Sequence, residues 1–151
     1  MLEFKFVKGI LGYELTKTLR EEIFKGELNI QKTTDELDEE SCHFVGYDKL
    51  AQISVARLSR LSEKIYKISF VGIKKDYRRQ LVGDLIMRAL ADKARTLGAT
   101  TILVDAPKEL IGFFEFEGYT KTETKFTKDN KEYIVMEKDA TVIQKCGGCQ
   151  G

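Results

Sequence analysis

Residues 77–84, Tyr-Arg-Arg-Gln-Leu-Val-Gly-Asp, hold the side chains and backbone best placed to bind an anion. They follow an apolar run, Ile68 to Ile73, and precede an amphipathic one that starts at Val82. A strand, a basic turn and a helix start leave free N–H groups aimed at one spot, where the helix dipole is positive. Such a spot takes a phosphate, so the chemistry expected is recognition of a nucleotide-like or coenzyme ligand. Arg78 and Arg79 add charge, and Gly83 is expected to let a ligand approach the main chain. Asp84 works against this, because a carboxylate repels an anion and can itself cap a helix. The plain structural alternative is an ordinary basic turn between strand and helix.

Other reactive types are sparse. His43, the one histidine, follows Cys42 at the start of a predicted strand. Neighbours on a strand point to opposite faces, so the pair is expected to pack and not to share a metal. Cys146-Gly147-Gly148-Cys149 has the thiol spacing of a metal knuckle or a redox pair. A structural zinc site needs four ligands, and there is no second such pair, so a tail with two reactive thiols is expected and no metal is required. Asp105 closes a short apolar strand, and such strand ends face the ligand crevice of an α/β fold. Its structural alternative is an N-cap for the helix opened by Pro107.

The elements that must position these groups follow from periodicity. Residues 2–7 alternate as a half-buried strand. Leu11, Leu15, Leu19, Ile23 and Phe24 make the stripe of a helix over 10–25 that stops at Gly26. Residues 27–41, with Asp35, Glu36, Asp38, Glu39 and Glu40, are expected to form a solvated acidic loop. Strands are predicted over 42–48, 50–58 and 64–73. A helix with Val82, Leu85, Ile86, Ala89, Leu90, Ala94 and Leu97 on one stripe ends at Gly98. Then come a strand over 100–105, a helix to about 117, and strands over 119–127 and 132–138. The order β-α-β-β-β-α-β-α-β-β implies an α/β (α+β) fold with a mixed sheet flanked by helices. Residues 1–139 are expected to be one domain and 140–151 a flexible tail.

The 151 residues carry a formal charge of +1, so no global field draws nucleic acid or anionic membrane. No apolar run reaches the about 20 residues of a membrane span. The N-terminus has no signal core, and cytoplasm is the expected location.

Arg78, Leu81 and Gly83 after a strand resemble the acyl-coenzyme A loop, Arg/Gln-x-x-Gly-x-Gly/Ala, of the GNAT N-acetyltransferase superfamily. Gly112-Phe113-Phe114-Glu115-Phe116-Glu117-Gly118-Tyr119 is similar to the family's Phe-Tyr-x-x-x-Gly-Phe block. The stretch 19–27 with Asp35-Glu36-Leu37-Asp38 is similar to one bacterial branch of small members. The resemblance covers roughly residues 2–138. It implies a V-shaped sheet whose fourth and fifth strands splay around coenzyme A, with the pantetheine arm on Val71, Gly72 and Ile73. The pyrophosphate would sit on Arg79, Gln80, Leu81, Val82, Gly83 and Asp84, with Arg78, Phe113 and Phe114 completing the site. Acetyl-CoA would be co-substrate and an amine, small or peptidic, the acceptor; an acidic loop bordering the cleft would favour a cationic one. Glu27 would be the base, Asp105 a second choice, and Tyr133 the acid. Glu27's structural alternative is a solvated residue just past a helix. Two positions depart from the family. Leu81 replaces a glycine and is expected to take positive φ only at a cost. Phe114 replaces the tyrosine that serves as acid. The competing functions are a non-catalytic acyl-CoA sensor and a thiol or metal role for the tail. A homodimer through edge strands or the C-terminal hairpin is a further expectation from the resemblance.

Overall fold

The computed structural model describes residues 2–142, so the predicted tail with Cys146 and Cys149 lies outside the described residues. Seven strands form one sheet: β1 Leu2–Lys8, β2 Cys42–Asp48, β3 Ala51–Arg60, β4 Ile65–Ile73, β5 Thr101–Pro107, β6 Thr120–Lys128 and β7 Lys131–Asp139. Their spatial order is β1-β2-β3-β4-β5-β7-β6. Every pairing is antiparallel except β4 with β5. The helices are α1 Gly9–Arg20, α2 Gln80–Thr96 and α3 Ile111–Phe116. A mixed α/β fold with a sheet flanked by helices is what the strand and helix periods imply, and it is what forms.

The main core lies between one sheet face and helices α2 and α3. Phe44, Ala56, Leu58, Ile68, Ile102 and Val104 meet Ile86, Leu90, Ala94 and Phe114 there. Ile86, Leu90 and Ile102 have no exposure, and each contributes roughly 1.5–3 kcal/mol by leaving water. Gly98, at φ +104°, ends α2 in a conformation that a side chain would strain.

Helix α1 covers the opposite face, where Leu19, Ile23 and Val55 cluster. Its buried side is Gly12, Thr16, Leu19 and Arg20, whereas Leu11 is 73% exposed. The predicted stripe is therefore rotated. Gly12 explains it: a Cβ there would lie 2.1 Å from the Val7 carbonyl oxygen and 2.9 Å from His43. Only glycine lets α1 press this closely on the sheet. The helix then widens into a π-helical turn, Glu21–Glu27, in which the Leu28 N–H reaches back to the Ile23 carbonyl at 3.1 Å. Such turns are frequent at functional sites.

The acidic loop is not simply solvated. Asp35 caps a short 3₁₀ turn, Glu36–Glu39, and Asp38 is buried. Pro107 ends β5 and leads into another 3₁₀ turn, Lys108–Leu110, ahead of α3.

Candidate active site

Strands β4 and β5 pair only from Ile65 with Thr101 to Ile68 with Val104. Both continue, to Ile73 and Pro107, and the sheet opens between them. A bulge helps to make the opening. Arg57 of β3 faces Ser69 and Val55 faces Gly72, so Phe70 and Val71 together oppose one residue. Phe70 has φ +53°, a conformation that costs a non-glycine residue roughly 1–3 kcal/mol. Three groups hold it. The guanidinium of Arg20 lies 4.4 Å from its ring centre and that of Arg57 5.0 Å. Phe24 meets it edge-on at 5.5 Å. Beyond the bulge, the Lys74 N–H bonds the Ile53 carbonyl on the β3 side. Strand alternation then turns the main chain of Ile73 toward the opening.

The cations that hold Phe70 belong to a buried network. Asp38 Oδ1 accepts from Arg20 Nη1 at 2.8 Å and from Arg57 Nη1 at 3.1 Å. Asp35 takes both Arg57 amino groups, at 2.6 and 3.1 Å. Burial pushes the Asp38 carboxyl up, but Arg20, the Asp35 N–H and Arg57 together outweigh it and hold it below the ordinary range. His43 is fully buried, with Nδ1 3.3 Å from Arg20 Nη2 and Nε2 2.8 Å from the Asp38 carbonyl. That fits a neutral ring protonated on Nε2, and burial lowers its pKa. His43 packs, as its strand position implies.

Next to the opening, α2 begins at Gln80 with Arg79 as an extended N-cap and no side-chain cap. The Gly83 N–H bonds the Arg79 carbonyl at 3.1 Å, and the helix geometry leaves the N–H groups of Gln80, Leu81 and Val82 without an intrahelical partner. Leu81 is helical, not left-handed, and 67% exposed, so it needs no positive φ. The expected strain is absent because the position falls inside the first turn. Gly83 faces inward: a Cβ there would meet the Phe113 ring at 3.1 Å. This glycine admits Phe113, not a ligand. Asp84 pairs with Arg88 at 3.0 Å and is mostly buried. Its i,i+4 partner lies further along α2, away from the free amides.

Arg78 reaches two ways. Its Nε donates to the Ile73 carbonyl at 2.7 Å, and its Nη2 donates to both Glu27 oxygens, at 2.7 and 2.6 Å. Glu27 is thus held beside the opening by the last π-helical turn. Asp105 is not an N-cap. It pairs with Lys67 at 2.6 Å, one residue beyond the last β4–β5 register pair. Tyr133 stacks on Phe126 at 5.1 Å and lines an open cavity of about 800 Å³ with Ile111, Lys121 and Ile134. It faces Pro107 at the end of β5. Burial and the charges of Asp129, Glu109 and Asp105 raise its pKa, so it stays a proton donor at neutral pH. Phe114 is 5% exposed, packed between Phe113 and Tyr119 in the core.

Residues 12–140 match the model of the acetyltransferase (GNAT) domain. The chain belongs to the GNAT acetyltransferase family. It is 31% identical over 124 residues to a Bacillus subtilis (strain 168) protein named as an uncharacterized N-acetyltransferase, YjcF; the match covers 80% of this chain and 88% of that one. Escherichia coli ElaA has the same fold, with a TM-score of 0.81 at 17% identity, covering 92% of this chain and all, 100%, of that one. A GNAT acetyltransferase from Elizabethkingia anophelis, solved with acetyl-CoA bound, aligns at a TM-score of 0.70 and 8% identity, over 90% and 97% of the two chains.

Within this GNAT domain, sequence reasoning missed three features. The Phe70 bulge has no local signal. The Arg20–Asp38–Arg57–Asp35 network had one: an arginine inside the apolar run of β3. The third is a buried carboxyl pair. Glu117 has no exposure, and its pKa rises to about 7 through burial and the neighbouring Asp84. Both Glu117 oxygens and Asp84 Oδ1 lack a hydrogen-bond partner among the described residues. Among the described residues no group of three or more His, Cys, Asp or Glu could hold a metal. No described helix is long and apolar enough to cross a membrane.

Proposed function

We propose that the protein transfers an acetyl group from acetyl-CoA to an amine. One observation carries this: an unpaired strand edge at the end of β4 adjoins the uncapped start of α2. An extended chain bearing amides fits the first and a pyrophosphate fits the second. Val71, Gly72 and Ile73 would hold the pantetheine arm through main chain. Gln80, Leu81 and Val82 would donate N–H groups to the pyrophosphate, with charge from Arg79. Phe113 and Gly83 fix the helix start, and Phe114 supports Phe113 from the core.

The bound donor supplies a thioester carbonyl open to attack by nitrogen. Glu27 takes a proton from the acceptor ammonium so that the amine can form the new C–N bond as the C–S bond breaks. Asp105 is the second carboxylate able to do so. Tyr133 gives its phenolic proton to the departing sulfur, the role for which Phe114 has no hydroxyl, and its phenolate takes up the second proton that the nitrogen sheds as the amide forms. Arg20 and Arg57 neutralise Asp38 and Asp35 internally, so a preference of the acidic loop for a cationic acceptor would rest on the exposed Glu36, Glu39 and Glu40.

The core position of Phe114 favours a second reading, an acyl-CoA binding module without turnover. Thiol release from acetyl-CoA across a panel of amines separates the two. Amine-dependent release supports transfer. Coenzyme binding with no release from any amine supports the module. No binding at millimolar coenzyme A rejects both.

A further inference from the structure

We propose that Arg78 is a latch that excludes the donor from the end of β4 and holds Glu27 until the donor displaces it. The proposal rests on the donor site described above. Ile73 is the last residue of β4, and its carbonyl faces the opening. Strand β5 has already diverged, five register positions earlier than the end of β4, so it offers no donor there. A ligand lying in the opening as a substitute strand must give an amide N–H to that carbonyl. Arg78 Nε already occupies it at 2.7 Å. The guanidinium and the ligand amide therefore compete for one acceptor.

The same side chain clasps Glu27 through Nη2, at 2.7 and 2.6 Å. A carboxylate held symmetrically by a cation is poorly placed to accept a proton from a substrate. One movement of Arg78 thus does two things: it opens the Ile73 carbonyl and it frees the proposed base. Donor binding would come first, and the base would become available only with the donor in place. Both partners of the clasp are about one-third exposed, at 38% and 32%, so the contact is reachable and weak enough to exchange. A static pin for the turn would instead be indifferent to the ligand.

The test uses pantetheine, which is uncharged, so that removing a carboxylate cannot act through repulsion of phosphate. Binding to the full chain and to Glu27→Gln is followed by NMR titration, with coenzyme A as a parallel probe. With the clasp weakened, Glu27→Gln is expected to bind pantetheine about three- to fivefold tighter, which is about 0.7–1 kcal/mol. Arg78→Met, which also frees the Ile73 carbonyl, is expected to show the same gain. Unchanged or weaker pantetheine binding in Glu27→Gln, with coenzyme A still bound by the wild-type chain, overturns the latch and leaves the donor site standing. Absence of coenzyme A binding to the wild-type chain at millimolar concentration overturns the donor site and the latch together.

Discussion

Replacing Asp38 by asparagine should unfasten the base of the cleft. The carboxylate joins two guanidiniums whose side chains are only 1% and 3% exposed. Breaking one side of a buried ion pair costs about 3–5 kcal/mol, because the other charge is left buried and uncompensated. Asp35 still neutralises Arg57 at 2.6 Å, so Arg20 bears the loss, and about 3 kcal/mol is the expected figure. With stabilities of about 5–15 kcal/mol for domains of this kind, that is a large fraction. Urea unfolding at pH 7 reads it directly: the midpoint should fall by about 1.5–2 M for a slope of about 1.5–2 kcal/mol/M. The sign with pH is fixed. Asp38 has a folded pKa held below its ordinary 3.8, so its contribution is present above that value and is lost as pH falls through the folded pKa. The gap between wild type and Asp38→Asn should therefore close in acid. Coenzyme binding should weaken as well, since Phe70 loses the ordered cations that hold its positive φ. A loss below about 0.5 kcal/mol at pH 7 would refute the reasoning, because it would mean that Arg20 needs no counter-charge.

Three further perturbations probe the same account. Tyr133→Phe should lower kcat about a hundredfold while leaving coenzyme affinity unchanged, as loss of a general acid does; the wild-type rate should keep this acid until pH rises above the ordinary 10, since the pKa is raised. Glu117→Gln should remove a pH-dependent term worth about 3 kcal/mol at most. The folded pKa of about 7 lies above the ordinary 4.5, so this stabilisation is complete below 4.5 and lost as pH rises through 7. Denaturation at pH 5.5 and 8.5 compares them, and the variant should vary less between the two. Leu81→Gly should cost about 1 kcal/mol through helix propensity and leave coenzyme affinity within about twofold, since the position is already helical.

How much of this was readable from residues alone depends on what each feature requires. The strand–turn–helix over β4 and α2 was legible because the apolar period changes from 2 to 3.6 across it. The splay of β4 from β5 came with the family resemblance, since a parallel ladder that stops early leaves no mark in either strand. The Phe70 bulge is a mismatch of register between β3 and β4, a property of the pair and not of either sequence. The rotation of α1 follows from Gly12, whose value as a close-approach site depends on where Val7 and His43 lie. Asp105 could be read as a cap or a cleft residue; Lys67, distant in sequence, decides its pairing. The side chain of Asp84 turns toward Arg88 along its own helix, a choice that spacing permits but does not impose.

The most direct test follows backbone amides while coenzyme A is titrated into the ¹⁵N-labelled chain. The account predicts saturable shifts at Val71, Ile73, Gln80, Leu81 and Val82, the strand edge and helix start that flank the opening. Saturation with those five amides unmoved, or no shift anywhere at millimolar coenzyme A, would contradict it.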